Sequence, residues 1–377
     1  MKKKIIIIGA GVAGLTLANI LKNNSNYEYI VYEKNESLNL EEGYGIQLSV
    51  NSISILNKLG FDKFNSHEKF NPLKLDFFTN KSKKICDLNL AVFNNKNNHY
   101  TTLKRSLLIK FLKEELYSNS IKFGKQVVNV EKINKKTQIT FKDDSIDDAD
   151  YIIVADGVFS GTKSIIEKKQ INSKYFGAVA VRAKININEI SFINNNHISL
   201  LMGSNFHIVL YPVNQDKEMN LVCIIRKRLN IEEPIYKTLE KTVLRHNDKL
   251  ANLFKVNLSS WPIYTSEKPI KSYHQNVFYI GDAFYSFPPT MAQGASQSIE
   301  SADELFNLIN EDTQNTEDKY FKNRIKRTNQ IKVRSNFNYF IFHLSNPFFC
   351  FFRNLAIKIL VKNRYFNENY LGKVFRK

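Results

Sequence analysis

Gly9, Gly11 and Gly14 punctuate a short stretch directly behind the apolar run Ile5-Ile6-Ile7-Ile8, and Glu33 stands nineteen residues after Gly14. Glycine at the first position permits a tight turn, at the second a close approach of backbone to a pyrophosphate, and at the third close helix–strand packing. Val12 and Ala13 would open a helix whose N-terminus favours the negative charge of a phosphate. Glu33, with Lys34 beside it, ends the next strand, where a carboxylate accepts hydrogen bonds from a ribose and disfavours a 2′-phosphate. The stretch reads as a cradle for FAD or NAD, not NADP.

A second group lies some 270 residues on: Tyr279-Ile280-Gly281-Asp282-Ala283, then Pro288-Pro289, then Gln293-Gly294-Ala295. Asp282 leaves a buried strand where the polyol of a flavin's ribityl chain would lie. Pro289 offers a rigid wall. Gly294 and Ala295 open a helix whose N-terminus, aimed at the N1/C2 edge, would stabilise an anionic reduced ring. A third group, Asp156-Gly157 through Gly161-Thr162-Lys163, turns off another strand and brings a carboxylate to the nucleotide. Together the three groups imply a bound flavin used for redox chemistry.

The elements that must hold these residues follow from periodicity. A continuous apolar strand at 4–8, a helix from Val12 to Lys22 and a strand at Tyr29–Tyr32 make a βαβ unit. Helical spacing returns at 51–59, ending at Gly60, and at Arg105–Leu116, where Leu108, Leu112 and Leu116 repeat. Leu73–Phe78 and Ile85–Leu90 read as strands, as do short segments within 121–154, with a turn at Asp143-Asp144 and a buried strand at Tyr151–Val154. From Ala178 to Arg226 the pattern is β-rich, with strands at Val179–Ile185, His207–Tyr211 and Leu221–Ile225. Val277–Ile280 is again a buried strand, Ala295–Ile309 a helix, 310–318 a loop, and a basic helical tail begins near Lys319.

Composition narrows the partners. With 377 residues, 43% hydrophobic and 24% charged, the chain is globular and long enough for two packed domains. Its +18 charge favours anionic partners, but it carries no nucleic-acid-binding motif. Cys86, Cys223 and Cys350 are odd in number and far apart, which excludes a disulfide framework and fits a reducing cytoplasm. Lys2-Lys3-Lys4 and the apolar stretch behind it imitate a secretion signal, yet the glycine spacing explains them better as part of the fold.

On these residues the chain resembles the single-component FAD-dependent aromatic hydroxylases, the family of para-hydroxybenzoate and salicylate hydroxylases. The glycine motif with Glu33, Asp156-Gly157 and Gly281-Asp282 occur in the family's order. Gly45-Ile46-Gln47-Leu48 with Asn51 is similar to its segment beside the flavin, Arg105 to its flavin-contacting arginine, and His343-Leu344-Ser345-x-Pro347 to its tail. Lys163 replaces a usual arginine, and Ser286, Ser296, Ser301 and Ala283-Phe284-Tyr285 also depart from the pattern. The resemblance implies that NADH or NADPH reduces FAD transiently, without a second nucleotide domain. Oxygen is then delivered through a flavin C4a-hydroperoxide to a small phenol or aromatic acid.

Such chemistry needs a group to take a phenolic proton. His207 and Tyr211, four apart on a strand, point to one face, and the resemblance places a matching His and Tyr there. The competing reading is a histidine packed at a strand end and a core tyrosine. Gln47, Pro289 and Gln293 are candidate pocket walls. In the tail, Pro347, Arg353 and Lys358 interrupt the Phe- and Leu-rich stretch 337–361, so it does not read as a transmembrane span. Arg353, Asn354, Lys358 and Lys362 would form a polar helix face, leaving Phe349, Phe352, Ile359 and Leu360 elsewhere on the surface. Either this helix packs over the substrate domain, or it touches a membrane peripherally.

The expected architecture is α/β: a Rossmann-like FAD-binding domain at 1–72, 100–175 and 271–318, an inserted β-rich substrate domain at 73–99 and 176–270, and a helical C-terminus at 319–377. The expected activity is hydroxylation of a small aromatic by a cytoplasmic monomer or homodimer. The alternatives are a membrane-peripheral hydroxylase of a lipid-tailed quinone precursor, and a flavoprotein reductase or flavin-binding subunit without oxygenase activity.

Overall fold

The computed structural model describes all residues except 1, 39, 41–43, 186–191, 229–232, 248–249, 251–252, 312–314 and 377. Isoleucines 5–8 are buried on both faces because their strand, Lys3–Ile8, lies at the centre of a parallel sheet. That first sheet runs Val277–Tyr279, Tyr151–Val154, Lys3–Ile8, Tyr27–Tyr32, Ile121–Lys122 in spatial order, with every pair parallel. Segments far apart in sequence thus end side by side, and each of the three glycine–aspartate motifs leaves the same end of this sheet.

The helices in chain order are α1 (Val12–Lys22), α2 (Val50–Lys58), α3 (Arg105–Glu114), α4 (Gly161–Ile166), α5 (Ile235–Thr242), α6 (Gly294–Asn310), α7 (Thr316–Phe342) and α8 (Pro347–Leu360), with short turns beyond. α1 packs on α6 and α3, and α2 packs on α6. The loop expected at 310–318 is shorter than that, because α7 already begins at Thr316 with Glu317 and Asp318 in its first turn, where carboxylates favour a helix start.

A second sheet of seven strands runs Ser259–Thr265, Lys174–Ile185, Met219–Arg226, Phe206–Pro212, Ile198–Gly203, Lys74–Thr79, Lys84–Asn89. All its pairs are antiparallel except Ile198–Gly203 with Lys74–Thr79. Two of these strands escaped the periodicity reading. Ile198–Gly203 is buried at every position, so it shows no alternation. Ser259–Thr265 is an edge strand carrying Pro262, a residue that edges tolerate and central strands do not.

α7 joins the two sheets. Near its start Tyr320 donates to the Tyr279 carbonyl (3.1 Å) on the first sheet, and just past its end His343 meets His207 on the second. At 27 residues it spans roughly 40 Å. Its grip on α6 is ionic and buried: Glu300 takes Arg324 (3.0 Å) and Arg327 (2.7 and 2.9 Å), and also Asn51 of α2 (2.6 Å). These partners hold the Glu300 carboxyl down at about 2 despite its burial.

The polar face expected on the C-terminal helix is broken at Arg353. Arg353 is only 7% exposed and points inward, donating to the Ile341 carbonyl and to Asn354. Phe349, Phe352 and Ile359 face solvent as expected, while Leu360 turns toward the cavity. The inward arc of α8, Ile357 and Leu360 included, packs toward the second sheet.

Candidate active site

The glycine cradle has the shape its sequence demands. Gly9 has φ +107°, and a Cβ there would stand 2.6 Å from the Ala155 carbonyl oxygen. A Cβ on Gly14 would stand 2.0 Å from the Gly9 oxygen, so α1 leaves its strand at a distance only glycine allows. Beside Gly11 the space is open, with nothing within 4 Å. The first turn of α1 holds no acidic residue and no capping side chain, so its amides, beginning with Val12 and Ala13, are left for an anion. Glu33 accepts from the Ala10 amide (2.9 Å) and the Asn35 amide (3.0 Å), which ties the turn to the second strand while leaving carboxylate lone pairs over. Lys34 is exposed beside it.

The other two motifs close on this cradle. Gly281 has φ +58°, and a Cβ there would lie 2.9 Å from the Ala13 Cβ, so the two distant signatures touch. Burial pushes the Asp282 carboxyl up to about 6, with Arg105 at the head of α3 pulling it back. Asp156 receives the Thr162 amide at 3.4 Å, yet its Oδ1 is buried without a partner among the described residues, and burial raises its pKa. Lys163 does not reach toward a nucleotide: it is buried and donates to the Ala283 carbonyl (2.6 Å), pinning one motif to the other. Ser301, a departure from the family pattern, accepts the Gly281 amide (3.0 Å) and steadies the turn.

α6 starts at Gly294 and Ala295 with an uncapped, acid-free first turn. Gln293 precedes it, is fully buried, and donates to Ser49 (3.0 Å); it does not line the cavity described below. An open cradle, two uncapped helix N-termini and an orphaned buried carboxylate oxygen fit a dinucleotide carrying a polar chain. When FAD is bound, Gly9, Gly11, Val12, Ala13, Gly14 and Glu33 would hold its nucleotide half. Asp156 would stand at that half too, and Arg105, Asp282, Gly294 and Ala295 would face the rest.

A separate cavity of about 210 Å³ lies between the second sheet and the C-terminal helices. Leu75, Phe77, Leu90, Leu200 and Val209 floor it, the turn Pro289–Ala292 forms one side, and Phe337, Ile341, Ile357 and Leu360 close it. Its polar groups are few and mostly occupied. Tyr100 donates to Gln47 (2.8 Å), and Tyr370 donates to Asn338 (2.7 Å). Tyr211 shares the face of His207 but stands behind Gln47, against Gly45, and does not line the cavity. Burial pushes its phenol well up.

His207 does line the cavity. Its Nδ1 is 2.7 Å from Nε2 of His343, which leaves its own Nε2 for the cavity. Burial takes His207 down to about 3 and His343 to about 2, so both rings are neutral and one donates to the other. His343 stands in the sequence as part of the tail motif, but nothing in spacing alone links positions 136 residues apart. Tyr100 has no sequence signal either, since it follows a polar, asparagine-rich run.

The comparisons with known proteins agree with this geometry. Residues 2–329 match the family described as FAD binding domain. The chain is 23% identical over 325 residues to 3-amino-4-hydroxybenzoate 2-monooxygenase of Streptomyces cremeus, covering 81% of this chain and 78% of that one. It is 22% identical over 391 residues to 6-hydroxynicotinate 3-monooxygenase of Bordetella bronchiseptica, covering 96% and 98%. Among solved structures, Klebsiella pneumoniae HpxO complexed with FAD and uric acid superposes with a TM-score of 0.86 at 19% identity, covering 99% of this chain and 96% of that one. The chain therefore belongs to the FAD binding domain family, as an FAD-dependent enzyme of the aromatic monooxygenase kind.

Proposed function

We propose that this chain uses NADH or NADPH and O2 to hydroxylate a small aromatic bearing a phenolic or equivalent ionisable group. The observation that carries the reading is the unpaired side of His207 facing a mostly apolar cavity. A cavity of this kind needs roughly 150 Å³ to take a benzene ring, so about 210 Å³ suits one substituted ring. Bound FAD supplies the two-electron redox chemistry and the activation of oxygen.

The chain's own groups do the rest. Aliphatic walls keep water from the reacting ring. Gln47, its oxygen held by Tyr100, presents its amide, and Pro289 bounds the ring's position. His207 accepts the substrate's proton at Nε2, which requires that Nδ1 carry hydrogen and donate to His343. A low proton affinity in the empty cavity is no obstacle, because the phenolate formed alongside favours the imidazolium. Tyr211 supports Gln47 from behind. In this reading 1–72, 100–175 and 271–318 serve the flavin, and 73–99 with 176–270 serve the substrate.

The test is oxidation of reduced nicotinamide by the purified, FAD-loaded protein in air, with a panel of phenols, aromatic acids and hydroxylated N-heterocycles. Stimulation by one compound with formation of its hydroxylated product is expected. Equal, uncoupled oxidation with every compound and no product would overturn the reading.

A further inference from the structure

α8 wears its apolar residues outward. Phe351 is 65% exposed, Phe348 63% and Ile359 61%, and Phe349, Phe352 and Leu355 share the same arc of the helix. On a helix of 3.6 residues per turn these six span roughly 160°, with Ile357 across from their middle and Arg353 just beyond their edge at Phe349. The orientation is fixed from within. Arg353 is held by the Ile341 carbonyl and Asn354, and Ile357 and Leu360 wall the cavity, so rotating α8 to bury its phenylalanines would break all of these. Phe337, half exposed on α7, lines the same cavity as Ile357 and Leu360 of α8.

Charge identifies what covers it. Between Asp318 and Glu368 there is no acidic residue against eleven lysines and arginines, of which Arg324 and Arg353 are buried and Arg327 is paired to Glu300. Lys358, Lys362 and Arg364 are exposed at the C-terminal end of α8. A second copy would bring the same cationic segment against its like. No described helix is long and apolar enough to cross a bilayer. A phenylalanine-rich helix with lysine at its end and no carboxylate of its own suits shallow insertion among anionic headgroups, with the helix lying in the interface plane. We propose that α8 docks this protein on the surface of an anionic lipid bilayer, with the cavity rim turned toward the membrane. The inference does not depend on the reaction assigned above.

The experiment is co-sedimentation of the full-length, FAD-loaded protein with vesicles of phosphatidylcholine alone or mixed with phosphatidylglycerol. The protein should pellet with the mixed vesicles at low salt and be released at about 0.5 M salt, where charges are screened within a few ångströms. The surface pair Phe348→Ser and Phe352→Ser, with its flavin absorbance intact, should bind at least about tenfold more weakly. Lys358→Glu with Lys362→Glu should lose the preference for phosphatidylglycerol. Failure of the unaltered protein to pellet with mixed vesicles would overturn the proposal. So would pelleting of the phenylalanine variant to the same extent. Loss of a dimer in that variant, without vesicle binding by the parent, would assign the face to a second copy instead and equally overturn it.

Discussion

His343 holds its Nε2 2.7 Å from Nδ1 of His207, tying the end of α7 to the strand that floors the cavity. Both rings are buried and neutral, so one must donate and the other accept. If His343 donates, His207 is left with a hydrogen at Nε2 and can only donate into the cavity. If His343 accepts, His207 offers a lone pair there. The tautomer of the residue capping α7 thus decides what the cavity residue presents.

Replacing His343 with Phe leaves His207 free to choose its tautomer. The expected result is a fall in kcat of about 10- to 100-fold with KM and flavin content little changed, since the group still lies in the cavity but is no longer directed. His343→Gln, whose amide can accept from Nδ1, should recover part of the rate. A purely structural role for His343 would show instead as lower flavin content and melting temperature with unchanged turnover per folded molecule.

The same pair makes the fold sensitive to acid. An unfolded histidine takes a proton below its usual 6.5, whereas the folded rings resist until about 3 and about 2. The unfolded state therefore binds more protons as pH falls through 6.5, and stability drops with it. Glu300, held at about 2 against its ordinary 4.5, adds a second loss below about pH 4.5. Melting temperature should decline from pH 6.5 downward and more steeply below 4.5. Replacing both histidines with apolar residues should flatten the upper limb, and a curve unmoved by that replacement would contradict the assignment.

The flavin half of this site was legible in the sequence because its chemistry is local. Gly9, Gly11 and Gly14 act within one turn, Gly9 has an angle that glycine alone adopts readily, and Gly281 has no room for a Cβ. The strand beginning at Ile198 was not legible, because burial on both faces erases alternation. Nor was the inward setting of Arg353 on α8, because a charged side chain on an amphipathic helix reads as solvent-facing. Here a buried arginine inverts the ordinary rule. The His207–His343 contact is legible only in space, since it joins a central strand to a helix end across 136 residues.

Gly11 and Gly14 should separate cofactor affinity from stability. A Cβ on Gly14 would collide with the Gly9 carbonyl at 2.0 Å, so Gly14→Ala should lower the melting temperature of the apoprotein and abolish flavin binding together. Gly11 has φ −83°, an ordinary angle, and open space beside it. Gly11→Ala should leave apoprotein melting unchanged while weakening FAD at least about tenfold, because the methyl group enters the space kept for a pyrophosphate. Fluorescence titration of apoprotein with FAD, alongside thermal melts, reads both effects. Tight flavin binding by Gly11→Ala would move the phosphate elsewhere.

Glu300 is the residue whose loss should damage the site without touching it. Its carboxylate is 1% exposed and joins α2, α6 and α7 through Asn51, Arg324 and Arg327. Replacing it with Gln removes the charge but not the volume, and leaves Arg324, itself 1% exposed, with only Glu304 to balance it. Breaking a buried ion pair from one side typically costs about 3–5 kcal/mol. Glu300→Gln should therefore lower unfolding free energy in urea by that order. Because α7 carries His343 to the cavity, the loss should also loosen the His207–His343 contact and reduce turnover before the protein unfolds. Glu300→Gln combined with Arg327→Gln should be less damaging than the sum of the two single changes, since the second removes a charge that the first leaves uncompensated. Strict additivity in that cycle would mean that the two side chains do not act as a pair.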